Sequence, residues 1–255
     1  MISYDQIKNN PQILLAFTGL TQTEFEELLL SFIKASYQTE QKRLAKQKRK
    51  RRPGGGRKAH LNTMADQLLF ILFYLKTYPI QEVQAFLFGM SQGQANEWIH
   101  RLARILKQAL NDLGHLPERE GSRLATILRE NETLAFTQDG SERRRQRPKD
   151  NEQQKAYYSG KKKAHTVKNH LVVHPESHRV CYLSATAPGK KHDKKLADDA
   201  GLRFPDRATL EQDTGFQGFD PEQVIVLQPK KKPRGKSLSI GEKFINRCIS
   251  SSRII

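Results

Sequence analysis

The chain has 255 residues, with 44 Lys and Arg against 27 Asp and Glu, and its formal net charge is +17 at pH 7. This charge is clustered along the chain, which indicates a polyanionic partner such as nucleic acid rather than a merely basic soluble protein. Residues 68–75 form the longest apolar run, far short of the roughly 20 residues that cross a membrane, and the N-terminus lacks a signal-peptide pattern. We therefore expect a soluble cytoplasmic protein with no membrane partner.

The first 60 residues divide into a helical segment and a basic segment. In residues 1–40, the apolar positions between 25 and 33 recur at helical spacing, which predicts a packing helix. Residues 41–60 are rich in Lys and Arg around a Pro-Gly-Gly-Gly sequence at 53–56, which ends any helix. We expect this segment to be a mobile arm on DNA phosphates, with a solvated linker as the alternative.

Residues 61–115 are predicted to form a helix-turn-helix domain. An apolar helix, a short helix, a turn and a long helix follow one another at Leu61–Tyr78, Ile80–Phe88, Gly89–Met90 and from Ser91 to about Leu113. Ser91 followed by Gln94 fits a capping box at the start of the long helix. A short helix, a turn with glycine and a long helix are typical of DNA-binding proteins, and a helical hairpin without a DNA role is the alternative.

In a helix-turn-helix, the first residues of the second helix lie against base edges in the major groove. Here these residues are Gln92, Gln94 and Asn96, whose amides are suited to pairing with adenine. Arg101 follows one to two turns later and is placed to reach phosphates. The predicted partner of this domain is therefore double-stranded DNA.

After a connector and a helix at residues 114–129, the pattern changes to short strands beyond Glu132. The predicted strands are Leu134–Gln138, His165–Val173, Val180–Thr186, Thr209–Gln212 and Gln223–Leu227. A helix at His192–Ala200 separates the third strand from the fourth; its His192-Asp193 start is most simply a capping region, with an approach to the active site as the alternative. This order places the first and fourth strands side by side in a ribonuclease-H-like sheet. The predicted fold class is α+β in several parts: an all-α helix-turn-helix domain, then an α/β mixed-sheet catalytic domain at residues 116–255.

Two aspartates end the first and the fourth of these strands. Asp139 precedes glycine in T-L-A-F-T-Q-D-G, and Asp213 precedes Thr-Gly in A-T-L-E-Q-D-T-G. Carboxylates paired at one edge of a sheet suit hard divalent cations, which prefer oxygen ligands. The matching chemistry is phosphoryl transfer with two metal ions, for which Asp139 and Asp213 are the candidate catalytic and metal-binding residues.

The loop between the first two predicted strands is strongly basic. Its candidate phosphate contacts are Arg143, Arg144, Arg145, Arg147, Lys161, Lys162 and Lys163. Tyr157 and Tyr158 lie between these groups and are candidates to stack on an unpaired base, although tyrosines beside a turn more often pack against the protein.

Several segments resemble a known family. D-G-S-E-R-R-R-Q-R-P-K-D, Y-Y-S-G-K-K-K-A-H-T-V-K, H-D-K-K-L and D-T-G-F-Q-G are similar to the catalytic domain of bacterial insertion-sequence DDE transposases, in the group related to Harbinger nucleases. E-V-Q-A-F-L-F-G-M-S-Q-G-Q-A-N-E-W-I resembles the helix-turn-helix of that group. The resemblance implies two Mg²⁺ or Mn²⁺ ions, with Asp139 and Asp213 as the first two metal-binding aspartates. It also implies binding to transposon terminal inverted repeats and target DNA, a homo-oligomer on DNA, and a nucleoid-associated location in a bacterium.

The family's third carboxylate is a Glu that follows the pattern N-x-x-[IL]-S-x-x-R-[IV]. Asn246, Ile249, Ser250, Arg253 and Ile254 reproduce this pattern, and the expected Glu would fall just past Ile255. The resemblance therefore predicts a C-terminally truncated transposase that lacks the final helix of its catalytic domain and has impaired strand cleavage and transfer. The alternative function is a non-catalytic DNA-binding remnant or repressor of transposition.

Overall fold

In a computed structural model of the chain, the structure describes residues 1–45, 59–130, 133–233, 235 and 237–252. The chain divides into two compact units, Met1–Leu116 and Pro117–Ile255. Most of the predicted basic arm, residues 46–58, lies outside the described residues. Within the described part, no helix is long and apolar enough to cross a membrane.

The first unit is entirely helical. Its helices are α1 (Tyr4–Ile7), α2 (Pro11–Thr18), α3 (Gln22–Ala45), α4 (Met64–Thr77), α5 (Gln81–Leu87) and α6 (Gln92–Asp112). The N-terminal segment thus holds three helices where one was predicted, because Asn10 caps α2 and Gly19 ends it in a left-handed conformation. The side chain of Thr63 caps α4, and this cap lies later than the predicted start at Leu61.

One apolar core joins the helices of this unit. Phe25 and Phe32 from α3, Phe70 from α4 and Leu102 from α6 have no exposed surface. Each of these helices is apolar along one face, and packing those faces together removes them from water. The core therefore fixes α5 and α6 on α3 and α4.

The predicted short helix, turn and long helix are confirmed as α5, the turn before Ser91, and α6. The side chain of Ser91 accepts a hydrogen bond from the backbone N–H of Gln94, and the side chain of Gln94 accepts one from the backbone N–H of Ser91 at 3.1 Å. This capping box, as predicted, satisfies two backbone donors at the start of α6.

The second unit is built on one mixed sheet. Its strands are β1 (Ala135–Arg144), β2 (Tyr158–Ser159), β3 (Ala164–His174), β4 (Arg179–Leu183), β5 (Ala187–Pro188), β6 (Thr209–Glu211) and β7 (Ile225–Leu227). The strand order is β2-β3-β1-β6-β7, and β4 and β5 also pair with β3. β1 is antiparallel to β3 and parallel to β6. The first and fourth predicted strands, which correspond to β1 and β6, therefore lie side by side as predicted.

Among the described residues, four α-helices accompany the sheet: α7 (Leu124–Leu128), α8 (Asn151–Tyr157), α9 (Asp193–Ala200) and α10 (Ile240–Ser252). Leu124 and Ala197 bring α7 and α9 into a core that includes Phe136, Leu210 and Phe216. The fold class is therefore as predicted, a helical unit followed by an α/β unit with a mixed sheet. The start of the predicted C-terminal pattern, from Asn246, lies in α10, and Arg253 and Ile254 lie outside the described residues.

The first predicted strand was too short. It was expected to end at Gln138, but β1 continues to Arg144 because it pairs with β3 as far as Arg144 opposite Thr166. Asp139 therefore lies within a strand, not at its end. What ends near Asp139 is the pairing with β6, whose last pair is Thr137 with Glu211.

Candidate active site

Asp139 and Asp213 hold equivalent positions relative to the parallel pair of β1 and β6. Each lies two residues beyond the last pair of β1 with β6, Thr137 and Glu211. One residue beyond that pair, the side-chain amide of Gln138 donates a hydrogen bond to the side-chain oxygen of Gln212. The register of the paired strands therefore continues to Gln138 and Gln212, the residues that directly precede Asp139 and Asp213.

Beneath the two aspartates lies a buried polar layer made by Gln138, Gln212 and His170. Gln138 and His170 have no exposed surface, and Gln212 is 1% exposed. Gln138 Oε1 lies 2.9 Å from His170 Nε2, and Gln212 Nε2 donates to the carbonyl of Phe219 at 3.2 Å. Because the Gln138 amide already donates to Gln212, its oxygen accepts from His170, and Nε2 carries the imidazole proton.

His170 is held in its neutral form. Its burial lowers the pKa from the ordinary value of 6.5 to about 4. Within the described part of the chain, its Nδ1 has no hydrogen-bond partner, so a second proton there would be buried without an acceptor. The layer of Gln138, Gln212 and His170 is therefore uncharged at neutral pH. Two of its residues, Gln138 and Gln212, directly precede Asp139 and Asp213 in the sequence.

A third carboxylate, that of Asp193 at the start of α9, lies close to both aspartate loops. A Cβ atom on Gly140 would come within 2.8 Å of Asp193 Oδ1, and one on Gly215 within 3.0 Å of Asp193 Oδ2. A side chain at either position would push the Asp193 carboxylate away from its present place. The sequence treated His192-Asp193 first as a capping region; the structure favours the alternative, in which this start reaches the site.

Asp193 is held in place by Lys168 of β3. Lys168 Nζ lies 3.1 Å from Asp193 Oδ1 and donates to the carbonyl of Lys191 at 3.3 Å. The Lys168 side chain is only 12% exposed and that of Asp193 23%. This half-buried ion pair joins the start of α9 to β3, and Lys168 is a residue that sequence reasoning missed entirely.

The carboxylates provide a partial set of ligands for a hard cation. Asp139 Oδ1 accepts from the backbone N–H of Gly140 at 2.7 Å, and Asp213 Oδ1 accepts from that of Gly215 at 2.7 Å. These bonds orient the two carboxylates, and oxygen donors of this kind fit Mg²⁺ or Mn²⁺. Among the residues the structure describes, no three His, Cys, Asp or Glu side chains are arranged as a complete metal cluster.

Glu142, three residues after Asp139, serves the fold. Its burial raises the pKa of the carboxyl, but hydrogen bonds from Ser159 and Thr166 outweigh this effect and hold the pKa below its usual value. Thr166 Oγ1 donates to Glu142 Oε1 at 2.6 Å. This carboxylate therefore ties β1 to β3.

The predicted phosphate contacts of this unit differ in their surroundings. Arg143 donates to Asn169 Oδ1, Arg145 lies 4.0 Å from the centre of the Tyr157 ring, and Arg147 Nε donates to Gln154 Oε1 at 2.9 Å. Each of these arginines is exposed, as are the remaining predicted contacts, Arg144, Lys161, Lys162 and Lys163. All of them lie near one end of the sheet, where β1 ends at Arg144 and β2 pairs with the start of β3.

The predicted base-reading residues lie on the first turns of α6. Gln92 Nε2 and Asn96 Nδ2 both donate to Gln81 Oε1 of α5, at 2.6 and 3.2 Å, and Gln94 takes part in the capping box. Arg101 lies over the Trp98 ring, 5.2 Å from its centre, and 4.0 Å from Glu40. These amides are therefore ordered by local contacts in the absence of a ligand.

Comparison with known proteins gives three findings. A family model described as DDE superfamily endonuclease matches residues 138–255, and one described as helix-turn-helix of DDE superfamily endonuclease matches residues 59–112. The probable transposase for insertion sequence element IS702 of Microchaete diplosiphon is 28% identical over 211 residues, which cover 83% of this chain and 72% of that protein. No solved structure matches the chain significantly.

Proposed function

Because the chain belongs to the insertion-sequence DDE transposases with a helix-turn-helix domain, we propose that it binds the terminal inverted repeats of a mobile element and cuts and joins DNA there. The observation that carries this proposal is the position of Asp139 and Asp213, two residues beyond a parallel strand pair and above a buried Gln138–Gln212 hydrogen bond. The proposed substrate is double-stranded DNA, and the proposed reaction is phosphoryl transfer.

Asp139 and Asp213 would hold the divalent ions that this superfamily uses, Mg²⁺ or Mn²⁺. When bound, such an ion supplies Lewis acidity at the scissile phosphate. The backbone N–H groups of Gly140 and Gly215 hold the two carboxylates in position, and Asp193 lies against both glycines. The protein contributes charge placement rather than a covalent nucleophile.

The helix-turn-helix supplies recognition of the ends in this proposal. Gln92, Gln94 and Asn96 read base edges, and Arg101 contacts the phosphate backbone. On the catalytic unit, the exposed groups Arg143, Arg144, Arg145, Arg147, Lys161, Lys162 and Lys163 hold the DNA by its phosphates. Two ends have to be brought together for transfer, so we propose a homo-oligomer on DNA.

Cleavage of the element's own ends tests the proposal. A plasmid carrying the gene of this chain with its flanking DNA is incubated with the protein and Mg²⁺, and breaks at the element ends are mapped by primer extension. Because the predicted cleavage is impaired, we expect weak breaks with the unaltered protein, and none with Asp139→Asn or Asp213→Asn. Both variants should still bind the end DNA, because the helix-turn-helix is unchanged.

Asp220→Asn is the matched control, since it removes the same charge from an exposed position of the same unit. Equal loss of cleavage in this control would point to a general charge effect and contradict the proposed roles. Binding of the ends by the unaltered protein without any cleavage would support the alternative function, a non-catalytic protein that occupies transposon ends.

A further inference from the structure

A basic cleft lies at the far end of β1 from the aspartates. It has a volume of about 640 Å³, within the range of small-molecule sites. The residues that line it are Arg147, Gln154, Lys155, Tyr158, Gly160, His165 and Lys190. They include three permanent cations, one amide and two aromatic rings, and none of them is acidic.

The aromatic part of the cleft is a pair of rings on paired strands. Tyr158 of β2 is opposite His165 of β3, and their ring centres are 5.7 Å apart in an edge-to-face arrangement. Tyr158 is 45% exposed, so that part of its surface faces solvent. An exposed ring supported by a second ring is a suitable platform for stacking a nucleobase.

The neighbouring Tyr157 does not offer the same surface. The guanidinium of Arg145 covers its ring at 4.0 Å from the centre. Sequence reasoning named both tyrosines as stacking candidates, and the structure separates them. Tyr158 lines the cleft, and Tyr157 is engaged by Arg145.

The cations are arranged around the rings by α8 and the adjoining segments. Gln154 accepts from Arg147 Nε at 2.9 Å, which orients the guanidinium. The backbone N–H of Lys190 donates to the carbonyl of Ala156 at 3.3 Å and fixes the start of that lysine beside α8. A phosphate on one side and a base on the other would satisfy both parts of the lining.

The cleft is separate from the reacting position. The backbone N–H of Arg145 donates to the carbonyl of His165, so the cleft begins six residues beyond Asp139. At about 3.3 Å per residue this is roughly 20 Å along the strand. A nucleotide in the cleft is therefore not the one whose phosphate is cut.

We propose that this cleft binds one unpaired nucleotide of a DNA strand, with its base stacked on Tyr158 and its phosphate held by Arg147 and Lys190. The inference rests on the proposed function and deepens it, because it predicts that the protein holds DNA locally unpaired beside the cleavage site. In a duplex both faces of a base are stacked on its neighbours, so only an unpaired base can place a face on Tyr158.

Two single strands with equal phosphate charge test the proposal. The full-length protein is titrated into a fluorescein-labelled oligothymidine and into the same strand with abasic sugars, and binding is followed by fluorescence anisotropy. We expect about tenfold tighter binding of the strand with bases. Tyr158→Ala should abolish the difference, Tyr158→Phe should keep it, and Tyr157→Ala should leave most of it.

Salt dependence tests the phosphate part. Lys190→Gln should reduce the slope of log affinity against log salt by about 0.7 for single-stranded DNA. Unchanged urea unfolding of the sheet unit in Tyr158→Ala would show that the variant is folded.

Equal affinity of the unaltered protein for the two strands, or a difference that survives in Tyr158→Ala, would overturn the proposal. Tighter binding of oligouridine than of oligothymidine would overturn the assignment to DNA. If end cleavage fails but the affinity difference between the two strands still depends on Tyr158, only the proposed catalytic function is contradicted.

Discussion

The two units of this chain have different interiors. In the helical unit, the buried polar residues among those described are Thr18, Ser36, Gln67 and Gln84, set in a large apolar core. In the sheet unit, the apolar core is smaller, and nine buried residues are polar, namely Thr137, Gln138, Ser159, Thr166, Asn169, His170, His174, Ser184 and Gln212. Burying polar groups costs free energy unless they are paired, so the interior of the sheet unit depends more on side-chain hydrogen bonds than that of the helical unit.

Three of these nine buried polar residues lie next to the two aspartates. Gln138 and Gln212 precede Asp139 and Asp213, and His170 bonds to Gln138. Hydrogen bonds fix the direction of side chains, which apolar contacts do not. We infer that the helical unit is built for stability and the sheet interior for placing two carboxylates, and three experiments test this difference.

The largest effect is expected in the apolar core. Phe88 has no exposed surface, and its ring meets Phe70 at 4.9 Å and Phe73 at 5.7 Å between centres. Phe88→Ala should destabilise the helical unit by about 3–5 kcal/mol because it leaves a cavity. Hydrogen exchange read by mass spectrometry should show lost protection in this unit and unchanged protection in the sheet unit.

Phe86→Ala is the control for this experiment. Phe86 lies in α5, two residues before Phe88, but is 83% exposed, so its removal should change stability by less than about 0.5 kcal/mol. Similar losses of stability in both variants would mean that the burial of Phe88 does not stabilise the helical unit.

The next effect is a pH dependence specific to the sheet unit. The pKa of His170 is about 4 in the folded protein and 6.5 ordinarily, so between these values the unfolded chain binds a proton that the folded protein does not. Stability from this residue is complete above pH 6.5 and is lost as the pH falls towards 4, by about 3 kcal/mol in all. Urea unfolding of the sheet unit at a series of pH values should show this slope.

His170→Asn should flatten that slope, since it removes the group that titrates. A slope that persists in the variant would assign the pH dependence to other residues and would contradict the burial of a neutral imidazole at this place.

The smallest effect concerns the hydrogen bond beneath the aspartates. Gln212→Leu should cost about 1–3 kcal/mol because it leaves the amide of Gln138 buried without its acceptor. Gln217→Leu, the same change at an exposed position, should have little effect. Urea unfolding measures both, and equal stability of the two variants would show that the bond contributes nothing.

The helices were predictable from the sequence because their signals are local. The Ser91 and Gln94 capping box and the apolar stripe of α6 lie within a few turns of each other, and both are present as expected. The neighbouring positions of β1 and β6 also followed from the order of elements. The bounds of β1 did not, because its second half, Gly140–Arg144, is polar and is held in the sheet by β3 alone.

The aspartates could be found in the sequence, but their surroundings could not. Asp193 reaches the site only because α9 packs on the sheet, a tertiary effect with no local signal beyond the His192-Asp193 helix start. The glycines after Asp139 and Asp213 looked like turn residues. In the structure Gly140 and Gly215 both lie close to the carboxylate of Asp193, and Gly215 also lies close to that of Asp213.

The parallel register of β1 and β6 has a consequence for how this chain can change in evolution. Gln138 and Gln212 are 74 positions apart and still meet, because the two strands, and not the intervening chain, set their separation. Insertions and deletions in the loops between those strands should therefore be tolerated. A single residue added between Thr137 and Asp139 would turn the carboxylate to the opposite face of the sheet. Among relatives, we therefore expect the chain length to vary widely between β1 and β6. We expect no length variation between Thr137 and Asp139 or between Glu211 and Asp213.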